Sequence, residues 1–387
     1  MGSIWSGTNV KVGIDDLNIA AGHRSLELRS LVAAGRHTHA DLANAGFHRR
    51  SVLDVWEDPI TLAAAAARPL ITDTTKIGLL LVGTESGFDY GKPLSSYLHR
   101  VLALGQNCRN AEIKHACYGQ TMALRLACAW VRENPERQAL VVGTDIGRHH
   151  PGPGELVAGL GAVAMTVSVN PRVLEVGYHS GCAAQETWDV ARPTATVELA
   201  DPILSLCAYL DAVEIARDDL RQSETLAVDD CAYVMYHCPL VSLVRQAHLA
   251  LTGTVTDFLE RVEPTLTLNR ELANIYGGSL YASLMGLLEN RELHSGTPLG
   301  FFSYGSGACA ELWIGHVGPE AGRVRRHGAA RKIAARRPCT VDEWLQAETE
   351  LQAQLQASDF EVVDALWESG ELVLQRIAAW HRTYRWI

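Results

Sequence analysis

Short apolar runs bounded by turn residues alternate along the chain with longer stretches of helical spacing. Runs at 76–84, 138–143, 161–169, 173–176 and 231–236 predict strands. Stretches rich in Ala, Leu and Arg at 95–104, 121–132, 202–217, 241–251 and 280–291 predict helices. The alternation places the chain in the α/β class. The turn Ser168-Val169-Asn170-Pro171 separates two alternating runs, 162–167 and 172–176, and predicts a hairpin near the middle. Thr340 followed by Glu343 has capping-box spacing and opens a predicted helix to about 358, with 365–380 expected to continue as apolar helix.

The pattern also repeats. Residues 117–127 align with 275–285, both placing Tyr-Gly-x-Ser/Thr at a helix start. Each is preceded by an apolar strand ending in a reactive side chain, 79–85 with Glu85 and 233–237 with His237. Each is followed by another apolar strand running into Gly and polar residues, 140–145 and 299–307. Three matches in one order indicate an internal duplication, with Cys in the first copy and His in the second. The expected active site lies between the copies.

Length sharpens this picture. A chain of 387 residues exceeds what one hydrophobic core supports, so two closely packed halves are expected, 1–170 and 171–387 with C-terminal helices in the latter. With 47% hydrophobic and 20% charged residues it needs no staples to fold. A net charge of -10 excludes nucleic acid as a partner, since such proteins carry a basic surface. Nine cysteines, an odd number and several within apolar runs, indicate free thiols and a reducing compartment. Residues 1–8 lack the basic and apolar segments of a signal peptide, and no apolar run reaches membrane-span length. A soluble, cytoplasmic protein away from membranes is expected.

Three residues carry candidate chemistry. Cys117 stands where a strand-like segment meets a helix, and the helix N-terminus together with Lys114 and His115 is expected to lower its thiol pKa. Packing as a small buried hydrophobe is an equally good local explanation. Glu85 ends a buried strand, where a raised pKa suits acid–base work, although a turn or cap role is the commoner fate. His237 ends a second such strand. The loop 301–307, with Gly305 and Ser306, offers backbone N–H groups to an oxyanion or forms only a tight turn. Asn274 reads equally as an N-cap. The Gly-rich stretch 152–161 precedes a strand rather than a helix, and the Cys and His residues, including His149-His150, lack paired ligand spacing, so no metal is expected.

Taken together, Gly-Thr-Glu85-Ser-Gly, Glu112-Ile-Lys-His-Ala-Cys117-Tyr-Gly, Tyr236-His237-Cys-Pro, Asn274-Ile-Tyr-x-Gly-Ser and Ser303-Tyr-Gly-Ser-Gly-Ala resemble the 3-hydroxy-3-methylglutaryl synthase family of the thiolase superfamily. The stretches 85–92, 96–99 and 302–306 resemble its polyketide β-branching members more than its primary-metabolism members. The resemblance implies a thiolase-like fold of duplicated αβαβα-type halves and a dimer. It implies phosphopantetheine thioesters as substrates, on donor and acceptor acyl carrier proteins or on CoA, and no resident cofactor. Cys117 would carry an acetyl group, Glu85 would take its methyl proton, and His237 would polarise the β-ketone of the acceptor. Gly305, Ser306, Tyr118 and Asn274 would surround the oxyanion.

Where the family carries lysines after the histidine, this chain has Arg245, which can meet a phosphate. The region 148–161 is short against the family pattern. Seven basic residues within 323–337 would suit a carrier protein or phosphate, or a solvated loop. A primary synthase using acetyl-CoA and acetoacetyl-CoA, and a non-catalytic acyl-binding partner, are the alternatives.

Overall fold

The computed structural model describes residues 10–147, 152, 154–224, 226–362, 367 and 369–387. Residues 1–8, His149-His150 and, within the stretch 148–161, residues 148–151 and 153 lie outside them.

One nine-stranded sheet organises the chain. Its strands are β1 (Val12–Ala20), β2 (Ile77–Gly83), β3 (Arg109–Ile113), β4 (Gln138–Ile146), β5 (Leu160–Val169), β6 (Leu174–Ala184), β7 (Tyr233–Tyr236), β8 (Pro298–Gly305) and β9 (Cys309–Val317). They lie in the order β7-β8-β9-β6-β1-β5-β4-β2-β3. From the centre outward, β1-β5-β4-β2 repeats as β6-β9-β8-β7, with antiparallel, antiparallel and parallel pairing in both. The duplication read from the sequence is therefore a duplication of topology. The two halves join through β1 and β6 by the pairs Gly13↔Glu175 and Ile14↔Leu174. A Cβ at Gly13 would lie 2.1 Å from the Leu174 carbonyl oxygen, so glycine permits that approach.

Helices fill the layers around the strands. They include α1 (Pro59–Ala67), α2 (Leu94–Val101), α3 (Gly119–Glu133), α4 (Pro202–Ser223), α5 (Val241–Thr252), α6 (Gly278–Asn290) and α7 (Val341–Gln356). Residues 278–288 of α6 are all buried, as expected of a helix apolar on every side. α3 meets α6 through Thr121 Oγ1 and Tyr281 OH, 2.8 Å apart. These paired helices are the equivalent elements of the two copies, and their N-termini carry the Cys and Tyr-Gly motifs. The Thr340 and Glu343 capping box is present at the start of α7.

Two expectations fail. The turn at 168–171 does not make a hairpin, because β1 inserts between β5 and β6. Asn170, at φ 50°, donates its N–H to Lys11 O and wraps the turn around the start of β1. β1 escaped notice because Asp15, Asp16 and Asn18 interrupt its apolar pattern. All three are buried and held from distant segments: Asp15 by Arg172 (2.8 Å), Asp16 by Arg326 and His327, and Asn18 through its Nδ2, which donates to Ala66 O.

Helix was expected through 365–380; of the described residues there, 372–380 instead belong to a hairpin of β10 (Leu372–Ala378) and β11 (His381–Trp386). Its two-residue turn is Ala379-Trp380, both at positive φ, a geometry normally announced by Asn or Gly. The hairpin is pinned to the body by Arg382 and Tyr384 on Asp58 (3.1 and 2.6 Å) and by His23, which lies between Glu57 (2.7 Å) and Glu371.

Candidate active site

Cys117 lies in the five-residue link between β3 and α3, with Ala116 in the left-handed region at φ 40°. Glycines from three elements make room for this link. A Cβ at Gly83 would fall 2.4 Å from Gln120 N, one at Gly305 would fall 2.5 Å from Tyr118 N, and one at Gly277 would fall 3.0 Å from Cys117 O. Gly83 ends β2, Gly305 ends β8, and Gly277 precedes α6, so both halves of the protein converge on the cysteine. Cys117 itself is only half-buried and its thiol is free.

The expected lowering of the Cys117 pKa does not hold. Burial pushes the thiol well above its ordinary range, and the charges of Glu85, Asp145, Glu198 and Asp189 push the same way. Lys114 is exposed to solvent. His115 is itself kept from charging by burial.

Glu85 sits one residue beyond the Thr84 that follows β2, with its side chain 9% exposed. Its N–H donates to Asp145 Oδ1 (2.9 Å), which also accepts from Thr84 Oγ1 (3.0 Å) and Ser86 Oγ (2.9 Å). One carboxylate oxygen on β4 thus shapes the whole turn. Burial pushes the Glu85 carboxyl well up, with Asp145 and Glu198 reinforcing and Arg192, 3.9 Å from Oε1, opposing. Burial also pushes Asp145 up to about 7, against its hydrogen bonds.

His237 follows β7, its N–H donating to Phe302 O (2.7 Å) and its carbonyl accepting from Tyr209 OH (2.6 Å). Its Nδ1 lies 2.7 Å from Ser279 Oγ in the first turn of α6, and Ser279 Oγ also accepts from Cys238 N–H. The ring orientation is therefore set by the second copy's central helix. Burial lowers the imidazole pKa to about 3, with the Tyr276 main chain opposing, so the ring is neutral.

Tyr276 links the three. Its main chain hydrogen-bonds the His237 ring, and its phenol feels the charges of Glu198, Glu85 and Cys117. It sits at φ 56°, held by its N–H donating to Asn274 Oδ1 (2.9 Å), while its phenol donates to Glu198 (3.0 Å). Asn274 thus acts on the site by fixing Tyr276. Ser306 is half-buried just beyond Gly305, beside the Cys117 link.

Other candidates lie elsewhere. Tyr118 turns its hydroxyl to Glu311 (2.8 Å), and its N–H is taken by His115 O (3.0 Å). Neither group is directed at a bound oxyanion. Arg245 is exposed on α5, lining a surface groove of about 760 Å³ with Val241, Leu249, Leu259 and Arg270. Glu85, Cys117 and His237 do not line that groove. In the basic run, Arg323 and Arg326 pair with Asp16, Arg325 with Glu292, and Arg337 with Asp54. Arg336 is buried on Ser51 and two carbonyls. Arg323 and Arg336 fasten the run internally, while Arg325, Arg326, Arg331, Lys332 and Arg337 remain exposed to solvent.

Sequence reasoning missed Asp145, Ser279, Tyr276, Asp189, Glu198 and Arg192. Asp145 carried the same signal as Glu85, a polar residue at the end of an apolar strand. Arg192 and Glu198 lie in an irregular segment with no pattern to mark them.

Two family models match, hydroxymethylglutaryl-coenzyme A synthase N terminal over 12–172 and C terminal over 248–384. The polyketide biosynthesis 3-hydroxy-3-methylglutaryl-ACP synthase PksG of Bacillus subtilis is 31% identical, over 98% of this chain and 100% of that protein. The hydroxymethylglutaryl-CoA synthase of Enterococcus faecalis is 33% identical, over 79% and 83%. The HMG synthase of the curacin biosynthetic pathway, also solved with acetyl donor-ACP, superposes with a TM-score of 0.92 at 31% identity, over 97% and 100%.

Proposed function

Because the chain belongs to the hydroxymethylglutaryl-coenzyme A synthase family, we propose that it is the β-branching synthase of a polyketide pathway, working on carrier-bound acyl chains. The observation that carries this reading is the convergence of Cys117, Glu85 and a neutral His237 around Tyr276. The sequence match to PksG spans 98% of the chain against 79% for the Enterococcus faecalis hydroxymethylglutaryl-CoA synthase, and the curacin enzyme superposes at a TM-score of 0.92 against 0.89 for MvaS, which supports the polyketide branch.

In this reading the Cys117 sulfur attacks the carbonyl carbon of an acetyl thioester. The donor arm leaves as a thiol, taking the proton. The raised thiol pKa means that proton loss accompanies attack rather than preceding it. Glu85 then removes a methyl proton from acetyl-Cys117. The resulting carbon bonds to the β-ketone carbon of the acceptor chain, and the new alkoxide takes the proton back from Glu85. A neutral imidazole donates a hydrogen bond to the ketone oxygen without carrying charge, the role assigned to His237. Gly305, which approaches Tyr118 N and His115 O in the Cys117 link, and Ser306 beyond it are the oxyanion candidates. Water finally cleaves the Cys117 thioester, giving a carboxylate, a proton and the free enzyme.

The substrates are phosphopantetheine thioesters, the partners a donor and an acceptor carrier protein, and the assembly a homodimer. Arg245 is assigned to the phosphate of the incoming arm, at the groove on α5. Intact mass measurement after mixing with acetyl carrier protein, or with acetyl-CoA, tests the reading. Acetylation of Cys117 is expected from the carrier protein. Acetylation from free CoA alone would favour a primary synthase, and condensation surviving Cys117→Ala would remove the assignment.

A further inference from the structure

The floor of the site is unusually acidic for a place where a carboxylate must serve as a base. Asp145 from β4, Glu198 from the segment after β6, and the thiol of Cys117 all face Glu85, with the Tyr276 phenol completing the surround. Two of the acids have neutral donors: Tyr276 OH serves Glu198 (3.0 Å), and Tyr304 OH serves Asp189 (2.8 Å). In a dry site, a carboxylate among carboxylates takes up a proton. A protonated Glu85 cannot take another from an acetyl methyl group.

The counterweight is Arg192. Its guanidinium is 9% exposed, lies 3.9 Å from Glu85 Oε1, and donates to Ser86 Oγ (3.0 Å) and to Ile146 O (2.9 Å). These anchors follow Glu85 and Asp145 directly in the chain, so the cation bridges the tips of β2 and β4. Both acceptors are neutral. A neutral side chain of similar reach satisfies them equally, and what only a cation supplies is the charge beside Glu85.

We propose that Arg192 is a positioning residue for the carbon–carbon bond-forming step, its charge set against the acidic surround so that Glu85 can accept the methyl proton. This rests on the reading of Glu85 as that base. The Arg192 charge acts on enolisation, after Cys117 has been acetylated, and does not itself touch the acetyl group.

The test is the loss of deuterium from trideuteroacetyl-Cys117 in water, followed by intact mass across pH, with S-trideuteroacetyl-pantetheine as the loading reagent. R192Q keeps hydrogen-bonding capacity and loses the charge, while R192K keeps the charge. Expected for R192Q is normal acetylation, exchange about tenfold slower at neutral pH, and a rise displaced upward by about one pH unit. R192K is expected to keep the parent's midpoint. An unchanged midpoint in R192Q, or an R192K profile displaced like that of R192Q, would overturn the proposal. Should R192Q fail to fold or acetylate, R192M, which also removes the charge, is read by the same midpoint. E85Q separates the two ideas: exchange at the parental rate in E85Q removes the base assignment itself, whereas a silent E85Q beside an undisplaced R192Q removes only the role of Arg192.

Discussion

The N–H of Glu85 donates to Asp145 Oδ1 at 2.9 Å, so one buried carboxylate both shapes the turn that presents Glu85 and raises the proton affinity of the group it presents. Geometry and charge work against each other in this pair, and substitution can separate them.

Asp145→Asn keeps an acceptor for Glu85 N–H and removes the charge. The pH at which condensation begins to rise is then expected to fall. Stability changes in a defined direction too. Asp145 is raised from 3.8 to about 7, so the folded protein holds its proton more tightly between those values, and the group's contribution to stability falls as pH rises through that window. The melting temperature of the Asn variant should gain on the parent from pH 5 to pH 8. Equal differences at both pH values would refute this.

Ser279→Ala removes the hydroxyl shared by His237 Nδ1 and Cys238 N–H. A hydrogen bond of this kind contributes about 1 kcal/mol, so condensation should slow by roughly fivefold or more. Acetylation of Cys117 should proceed at the parental rate. Comparing single-turnover acetylation with condensation checks the distinction.

Gly305→Ala would set a methyl group 2.5 Å from Tyr118 N and 2.7 Å from His115 O. Both are main-chain atoms and cannot swing aside. The expected outcome is a loss of about 1–3 kcal/mol in denaturant unfolding, with Cys117 acetylation falling far more than that loss explains. Undisturbed acetylation would show that the link tolerates displacement.

His23→Gln reports on the C-terminal hairpin. Burial opposes its charge, but the ring's hydrogen bonds to the Glu371 and Glu57 carboxylates prevail and raise the imidazole from 6.5 to about 10. A raised basic group contributes fully below 6.5 and loses its contribution as pH passes 10. The variant should therefore melt below the parent at pH 6, and the gap should close towards pH 10. Thermal unfolding at several pH values measures it.

The repeat was legible because Glu85 and His237 each follow a buried apolar strand, at equivalent places in the two copies. Arg192 was not, since its segment has no periodicity and its partners Ser86 and Ile146 are distant in sequence. The thiol environment was misread for a related reason: Lys114 is a neighbour in sequence, whereas the burial that raises the Cys117 pKa, and the carboxylates that reinforce it, come from segments that are neighbours only in space. β1 was hidden by acids whose partners, Arg172 and Arg326, lie far along the chain.

That strand has a consequence for the birth of the protein. β1 is made first but pairs with β5 and β6, which begin at Leu160 and Leu174. At a synthesis rate of 5–20 residues per second, its partners emerge roughly 8–30 s later. During that wait the nascent chain carries an unpaired strand whose buried Asp15 and Asp16 also lack their basic partners. Those two charges, a cost to the finished sheet until Arg172 and Arg326 arrive, keep the waiting strand hydrated on the ribosome.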